Sequence, residues 1–65
     1  MRVRITELVK DKLEHLGQIE LPDFLLPSTG DKLYYKTIRQ YKIIDRQFNL
    51  MEQSLYDVEL FIQKT

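Results

Sequence analysis

The chain contains no cysteine, no tryptophan, only two glycines and two prolines, and no long uninterrupted apolar segment. Without cysteine, neither a disulfide nor a zinc site built on thiolates can stabilise the fold, which fits a cytoplasmic protein. Without a long apolar segment, neither a signal peptide nor a membrane-spanning helix is expected. We therefore expect a soluble, cytoplasmic protein that does not bind membranes.

The chain also lacks an excess of charge of either sign. Ten Lys and Arg balance ten Asp and Glu in 65 residues, so the formal net charge is zero. This balance argues against a generally basic nucleic-acid-binding protein. A single domain of this size buries only about 60% of the surface that its unfolded chain exposes. Self-association is therefore expected to stabilise it.

Apolar residues in the second half of the chain recur at alternating steps of three and four. They are Tyr41, Ile44, Phe48, Met51, Leu55, Val58 and Ile62. This spacing is typical of the apolar stripe of a coiled-coil helix. Because no glycine or proline follows Gly30, the pattern predicts one long helix over residues 31–64.

The first half of the chain predicts a shorter helix over residues 5–16. Apolar residues repeat there at helical spacing, and Gly17 follows as a stop signal. Residues 2–5 alternate polar and apolar side chains, which also fits a short strand. The connector over residues 18–30 is apolar despite its two prolines, so we expect it to pack over the helices. The predicted fold class is all-α, a helical hairpin with a short first helix and a long second helix.

The first helix is too short to cover the apolar stripe of the second helix beyond Phe48. A second copy of the chain is the simplest cover, so we predict a homodimer that forms a four-helix bundle or an antiparallel coiled-coil-like assembly. The predicted dimer-interface residues are Phe48, Met51, Leu55, Val58 and Ile62.

A second contact surface is predicted for a protein partner. On a helix, Ile43, Leu50 and Phe61 align on the side opposite the stripe. Phe24, in the connector, is the candidate for insertion into a partner's groove. Among the tyrosines, Tyr34 is assigned to the apolar face and Tyr35 to a contact surface.

A basic stripe is the clearest polar feature of the chain. It comprises Lys32, Lys36, Arg39, Lys42 and Arg46, with Tyr35 among them. Several cations beside an aromatic ring are what contact with a nucleic-acid backbone and its bases requires. The structural alternative is the solvated outer face of an amphipathic helix.

No residue pattern indicates catalysis, a cofactor or a metal. There is a single histidine, no cysteine and no glycine-rich phosphate loop, and Asp45, Glu52 and Glu59 are too far apart along one helix to share an ion. The sequence therefore favours a small helical homodimeric protein-interaction module that acts as an adaptor, inhibitor or regulatory subunit. The alternative is a small nucleic-acid-binding regulator that uses the basic stripe. No enzymatic activity is expected.

Overall fold

The computed structural model describes all 65 residues. The chain forms one mixed sheet of five strands joined by turns and loops. The strands are β1 (Arg2–Val9), β2 (Lys12–Glu20), β3 (Lys32–Tyr34), β4 (Gln40–Phe48) and β5 (Val58–Lys64). One 3₁₀ turn at Asp23–Leu25 is the only helical element, and no helix is long and apolar enough to cross a membrane. The all-α prediction is therefore wrong, and so are the helical hairpin, the coiled coil and the four-helix bundle that were built on it.

The strands lie in the order β2-β1-β5-β4-β3. The central pair, β1 and β5, is parallel, whereas every other neighbouring pair is antiparallel. The turn between β1 and β2 is formed by Lys10 and Asp11, which both have positive φ, at 49° and 66°. Two successive residues with positive φ are typical of the tight turns whose twist matches that of a hairpin.

The core lies on one face of this sheet, which we call the core face. Its residues follow the two-residue alternation of a strand: Val58, Leu60 and Ile62 of β5 are all buried, while the residues between them are less so. In β1, Val3 and Ile5 pair with Val58 and Leu60. The complete core cluster is Val3, Ile5, Tyr41, Ile43, Val58, Leu60 and Ile62.

The connector between β2 and β3 contributes apolar side chains to the core face. Leu21 and Leu26 pack against the core cluster, together with Leu33 and Tyr35 from further along the chain. Phe24 lies in the 3₁₀ turn and is 85% exposed. The segment thus covers part of the sheet through its leucines, while its phenylalanine faces solvent.

The apolar pattern from Tyr41 to Ile62 led to the wrong prediction of a long helix, because a strand and a helix can bury some of the same positions. Tyr41, Val58 and Ile62 are buried, but in two strands of period two and not along one helix. Between the strands, Met51 and Leu55 belong to a loop and are exposed. No glycine or proline is needed to break the chain there, because Asn49 and Ser54 supply the turn through their side chains.

Candidate binding surfaces

The β4–β5 loop, residues 49–57, is held by hydrogen bonds among its own polar groups. Asn49 Nδ2 donates to Ser54 Oγ at 2.6 Å, and Ser54 Oγ donates to the carbonyl oxygen of Tyr56. The backbone N–H of Met51 donates to Asn49 Oδ1 at 3.3 Å. Asn49 N also donates to the carbonyl oxygen of Asp57 at 2.8 Å. These contacts define the shape of the loop without any buried apolar core of its own.

The loop is also tied to the sheet. Asp57 accepts hydrogen bonds from the backbone N–H of Arg2 at 2.7 Å and from Arg2 Nη2 at 3.2 Å. Hydrogen bonds from Arg2 hold the pKa of Asp57 below its usual value. In turn, the hydrogen bond to Asp57 raises the pKa of Arg2. Gln18 Nε2 of β2 donates to the carbonyl oxygen of Leu55 at 3.0 Å. The loop is therefore anchored to both β1 and β2.

The large apolar side chains of this loop face solvent. Leu50 is 90% exposed, Met51 75% and Leu55 81%; together we call them the apolar loop surface. Each square ångström of apolar surface left in water forgoes about 25 cal/mol of stabilisation. The loop therefore exposes three large apolar side chains in addition to its polar residues Glu52 and Gln53.

Each of the two interface sets predicted from the sequence contains both exposed residues and residues that the fold buries. Of the predicted dimer-interface residues, Phe48, Met51 and Leu55 are exposed, whereas Val58 and Ile62 lie inside the core of the single chain. Of the predicted partner-binding residues, Ile43 is fully buried and Phe61 is half-buried, while Leu50 and Phe24 are exposed.

Consequently, the residues of each set do not share one surface. One loop instead contains Leu50 from one set together with Met51 and Leu55 from the other. Recognition of this grouping from the sequence would have required the loop itself to be recognised, through Asn49 and Ser54.

A second surface is formed by the β3–β4 hairpin, residues 32–42. This segment contains four cationic residues and no acidic one. None of the four takes part in a salt bridge, because the ion pairs of the structure involve only the N-terminus, Arg2, Arg4 and Lys64. The four cations are Lys32, Lys36, Arg39 and Lys42.

The pairing of β3 with β4 concentrates this charge. Lys32 lies directly opposite Lys42, so both side chains project from the sheet face opposite the core, which we call the outer face. Tyr34 follows Lys32 by two positions, lies on the same face and is 65% exposed. The hairpin therefore presents two adjacent ammonium groups beside an accessible aromatic ring.

The other residues of the predicted basic stripe have different positions. Arg46 lies outside the hairpin, donates to the carbonyl oxygen of Pro27 at 3.3 Å and covers the ring of Phe48. Tyr35 packs against the core cluster. The assignments of Tyr34 and Tyr35 were thus reversed. Strand alternation through Leu33 and Tyr35 is the sequence signal that assigns them correctly.

Glu59, a carboxylate of the outer face, is engaged in internal contacts. Glu59 accepts a hydrogen bond from Thr6 Oγ1 at 2.6 Å and lies 3.4 Å from Arg4 Nε. The guanidinium of Arg4 also lies 5.4 Å from the centre of the Tyr56 ring. No group of three His, Asp or Glu side chains comes together in an arrangement that could hold a metal ion. These polar groups therefore stabilise the sheet and the loop.

A comparison with models of protein families, with curated proteins and with solved structures finds no significant match.

Proposed function

We propose that this protein is a small protein-interaction module, acting as an adaptor, inhibitor or regulatory subunit, and that the apolar loop surface is its contact site. The observation that carries the proposal is the exposure of three large apolar side chains, those of Leu50, Met51 and Leu55, within one loop. Large exposed apolar side chains grouped in one part of a soluble domain are characteristic of interaction sites. Methionine in particular is enriched where proteins contact one another.

The anchoring of the loop supports the same proposal. Binding normally costs free energy because interface side chains and loops become ordered. Here the contacts of Asp57 with Arg2 and of Leu55 with Gln18 hold the loop in the free protein. A partner can then gain the apolar contacts of Leu50, Met51 and Leu55 without first ordering the backbone that carries them.

The partner is a protein with a complementary apolar surface, and a second copy of the chain is one such partner. The homodimer is no longer required to cover a helical stripe, because the single chain has its own core. What remains in its favour is the exposure of the loop residues. A specific interface needs about 800 Å² from each partner, which is a minor part of the 4894 Å² accessible surface of this chain.

The proposal is tested with the double variant Leu50→Ser/Leu55→Ser. Its matched control is Leu13→Ser/Phe24→Ser, which removes two large apolar side chains that are also exposed but lie outside the loop. Sedimentation velocity measures self-association, and affinity capture from the native source, quantified for each variant, measures binding to other proteins.

We expect both variants to melt like the wild type and only the loop variant to lose its partner. Loss of self-association in the loop variant alone identifies the partner as a second copy. Equal binding by the wild type and the loop variant contradicts the proposed site, and so does equal loss in the control variant.

A further inference from the structure

We propose that the β3–β4 hairpin binds single-stranded nucleic acid, at a site distinct from the apolar loop surface. The proposal goes beyond the proposed function, since it rests on different residues and on a different ligand. It is carried by the unpaired charges of Lys32 and Lys42 and by the exposed ring of Tyr34, which lie on one face of the sheet.

The charge arrangement is unfavourable in the free protein. Like charges that lie directly opposite each other on neighbouring strands destabilise a sheet, and Lys32 and Lys42 are such a pair. Neither has an acidic partner within salt-bridge distance. A phosphate group placed between the two ammonium groups would relieve their repulsion. Arg39 lies in the turn of the same hairpin and adds a third cation to this pair. The ammonium group of Lys36 lies elsewhere, 5.3 Å from the centre of the Tyr35 ring and close to Gly17 of β2.

The aromatic component favours nucleic acid over a simple anion. A tyrosine exposed on a sheet face leaves the face of its ring free for stacking, and bases stack on such rings with little sequence preference. Beside Tyr34 lies a shallow hollow of about 430 Å³, lined by Tyr34, Thr37 and Ile38. Ile38 is 97% exposed. An unstacked base can therefore contact Tyr34 on one side and the turn on the other.

The same features favour a single strand over a duplex. In a duplex the base faces are stacked and are not available to a tyrosine ring, and the grooves are read by an inserted helix or ribbon. The short β3 strand presents its aromatic ring on the outer face beside the cations. This combination of a basic surface and a stacking platform is that of single-strand-binding proteins.

The two proposed sites lie at opposite ends of β4. The hairpin turn precedes Gln40 and the β4–β5 loop follows Phe48. At about 3.3 Å per residue, the ends of this strand are about 26 Å apart, in a molecule whose longest dimension is 33 Å. One protein partner and one nucleic-acid strand can therefore be bound at the same time, which is the geometry that an adaptor needs.

The charge test uses fluorescence anisotropy with labelled single-stranded DNA and RNA of about 12 nucleotides, within the range bound by small single-strand-binding domains. The variant is Lys32→Gln/Lys42→Gln. The matched control is Lys10→Gln/Lys12→Gln, which makes the same change in net charge at the β1–β2 hairpin. Measurements over a range of salt concentrations give the slope of log affinity against log salt.

We expect salt-dependent binding by the wild type and by the control. In the Lys32→Gln/Lys42→Gln variant the slope should flatten by about 0.7 for each lost phosphate contact. This variant should melt at or above the wild-type temperature, because the repulsion between the two lysines is removed.

The stacking test compares Tyr34→Ala with Tyr34→Phe. Loss of the ring should weaken binding by about 5- to 150-fold, whereas the phenylalanine variant retains the ring and should bind like the wild type. If Tyr34→Ala binds as tightly as the wild type, stacking is absent and the assignment to a single strand is overturned.

Three further outcomes would overturn the proposal. One is the absence of oligonucleotide binding by the folded wild type at low salt. Another is equal weakening by the Lys10→Gln/Lys12→Gln control, which would show that only net charge matters. The third is tighter binding to duplex DNA or to phosphatidylserine vesicles than to the single strand. None of these results bears on the apolar loop surface, whose test uses different variants.

Discussion

The hydroxyl group of Tyr35 lies over Gly17, in the space that a β-carbon on Gly17 would occupy. Gly17 pairs with Ile5 of β1, next to a register shift in that strand pair, and Tyr35 belongs to the segment that follows β3. This close approach brings the chain after β3 against the strand β2, although the two are at opposite edges of the sheet order.

The first prediction follows from this contact. Gly17→Ala should destabilise the fold by about 1 to 3 kcal/mol, as overpacking of a well-filled site does, because the new methyl group overlaps Tyr35 Oη. The free energy of unfolding in urea measures the effect.

The control for that prediction is Tyr35→Phe. The Tyr35 hydroxyl is buried and has no hydrogen-bond partner, so its removal alone should be neutral or stabilising. In the double variant Gly17→Ala/Tyr35→Phe the overlap is reduced, and most of the lost stability should return. A double variant as unstable as Gly17→Ala would show that the contact is not the cause.

The second prediction separates the sheet from the helical stripe inferred from the sequence. Ile62 is fully buried, so Ile62→Ala should cost about 2 to 5 kcal/mol. Leu55 is exposed, so Leu55→Asp should change the stability by no more than about 0.5 kcal/mol. A helical stripe requires that both variants unfold the protein. Thermal melting followed by circular dichroism distinguishes the two results.

The third prediction concerns pH and the Arg2–Asp57 pair. Hydrogen bonds from Arg2 lower the pKa of Asp57 in the folded protein. A lowered folded-state pKa means that the carboxylate contributes stability above its unfolded-state pKa, and that this contribution is lost as the pH falls through the folded-state pKa. Asp57→Asn should therefore melt below the wild type at neutral pH.

The difference in melting temperature between Asp57→Asn and the wild type should shrink as the pH falls below the usual range of an aspartate. The matched control is Asp11→Asn, in the β1–β2 turn, where no salt bridge is formed. A constant difference between pH 7 and strongly acidic conditions would contradict a contribution from the charge of Asp57.

The fourth prediction concerns the half-buried carboxylate of Glu59. Thr6→Val keeps the shape of the side chain but removes the hydroxyl that donates to Glu59. Loss of a hydrogen bond to a charged group of low exposure should cost about 1 to 3 kcal/mol. Thr6→Ser retains the donor and should lose less. Equal unfolding free energies for the valine and serine variants would show that the hydrogen bond is not the source of stability.

Parts of the strand pattern are visible in the sequence. The alternation of Val58, Leu60 and Ile62 predicts β5, and the alternation of residues 2–5 allowed the strand that begins β1. A longer helical pattern overlaps these signals, because residues four positions apart, such as Val58 and Ile62, satisfy both periodicities. The length of the apolar pattern favoured a helix, because two strands and the loop between them together contain as many residues as one long helix.

The site residues were partly accessible to sequence reasoning. The concentration of Lys32, Lys36, Arg39 and Lys42 is a property of the sequence, and it persists in the hairpin. The position of Tyr34 beside two of these lysines depends on the pairing register of β3 with β4, which composition does not determine. Likewise, the exposure of Leu50 follows from side-chain hydrogen bonds of Asn49 and Ser54, which a periodicity of apolar residues does not report.

The parallel pairing of β1 with β5 has a consequence for how the chain folds. Val3 contacts Val58, so the centre of the sheet joins segments separated by nearly the whole sequence, and contacts of such long range slow folding. The β1–β2 and β3–β4 hairpins can form locally, but neither has a complete apolar face until β5 lies between β1 and β4. During translation the core therefore cannot close until residues 58–64 have left the ribosome.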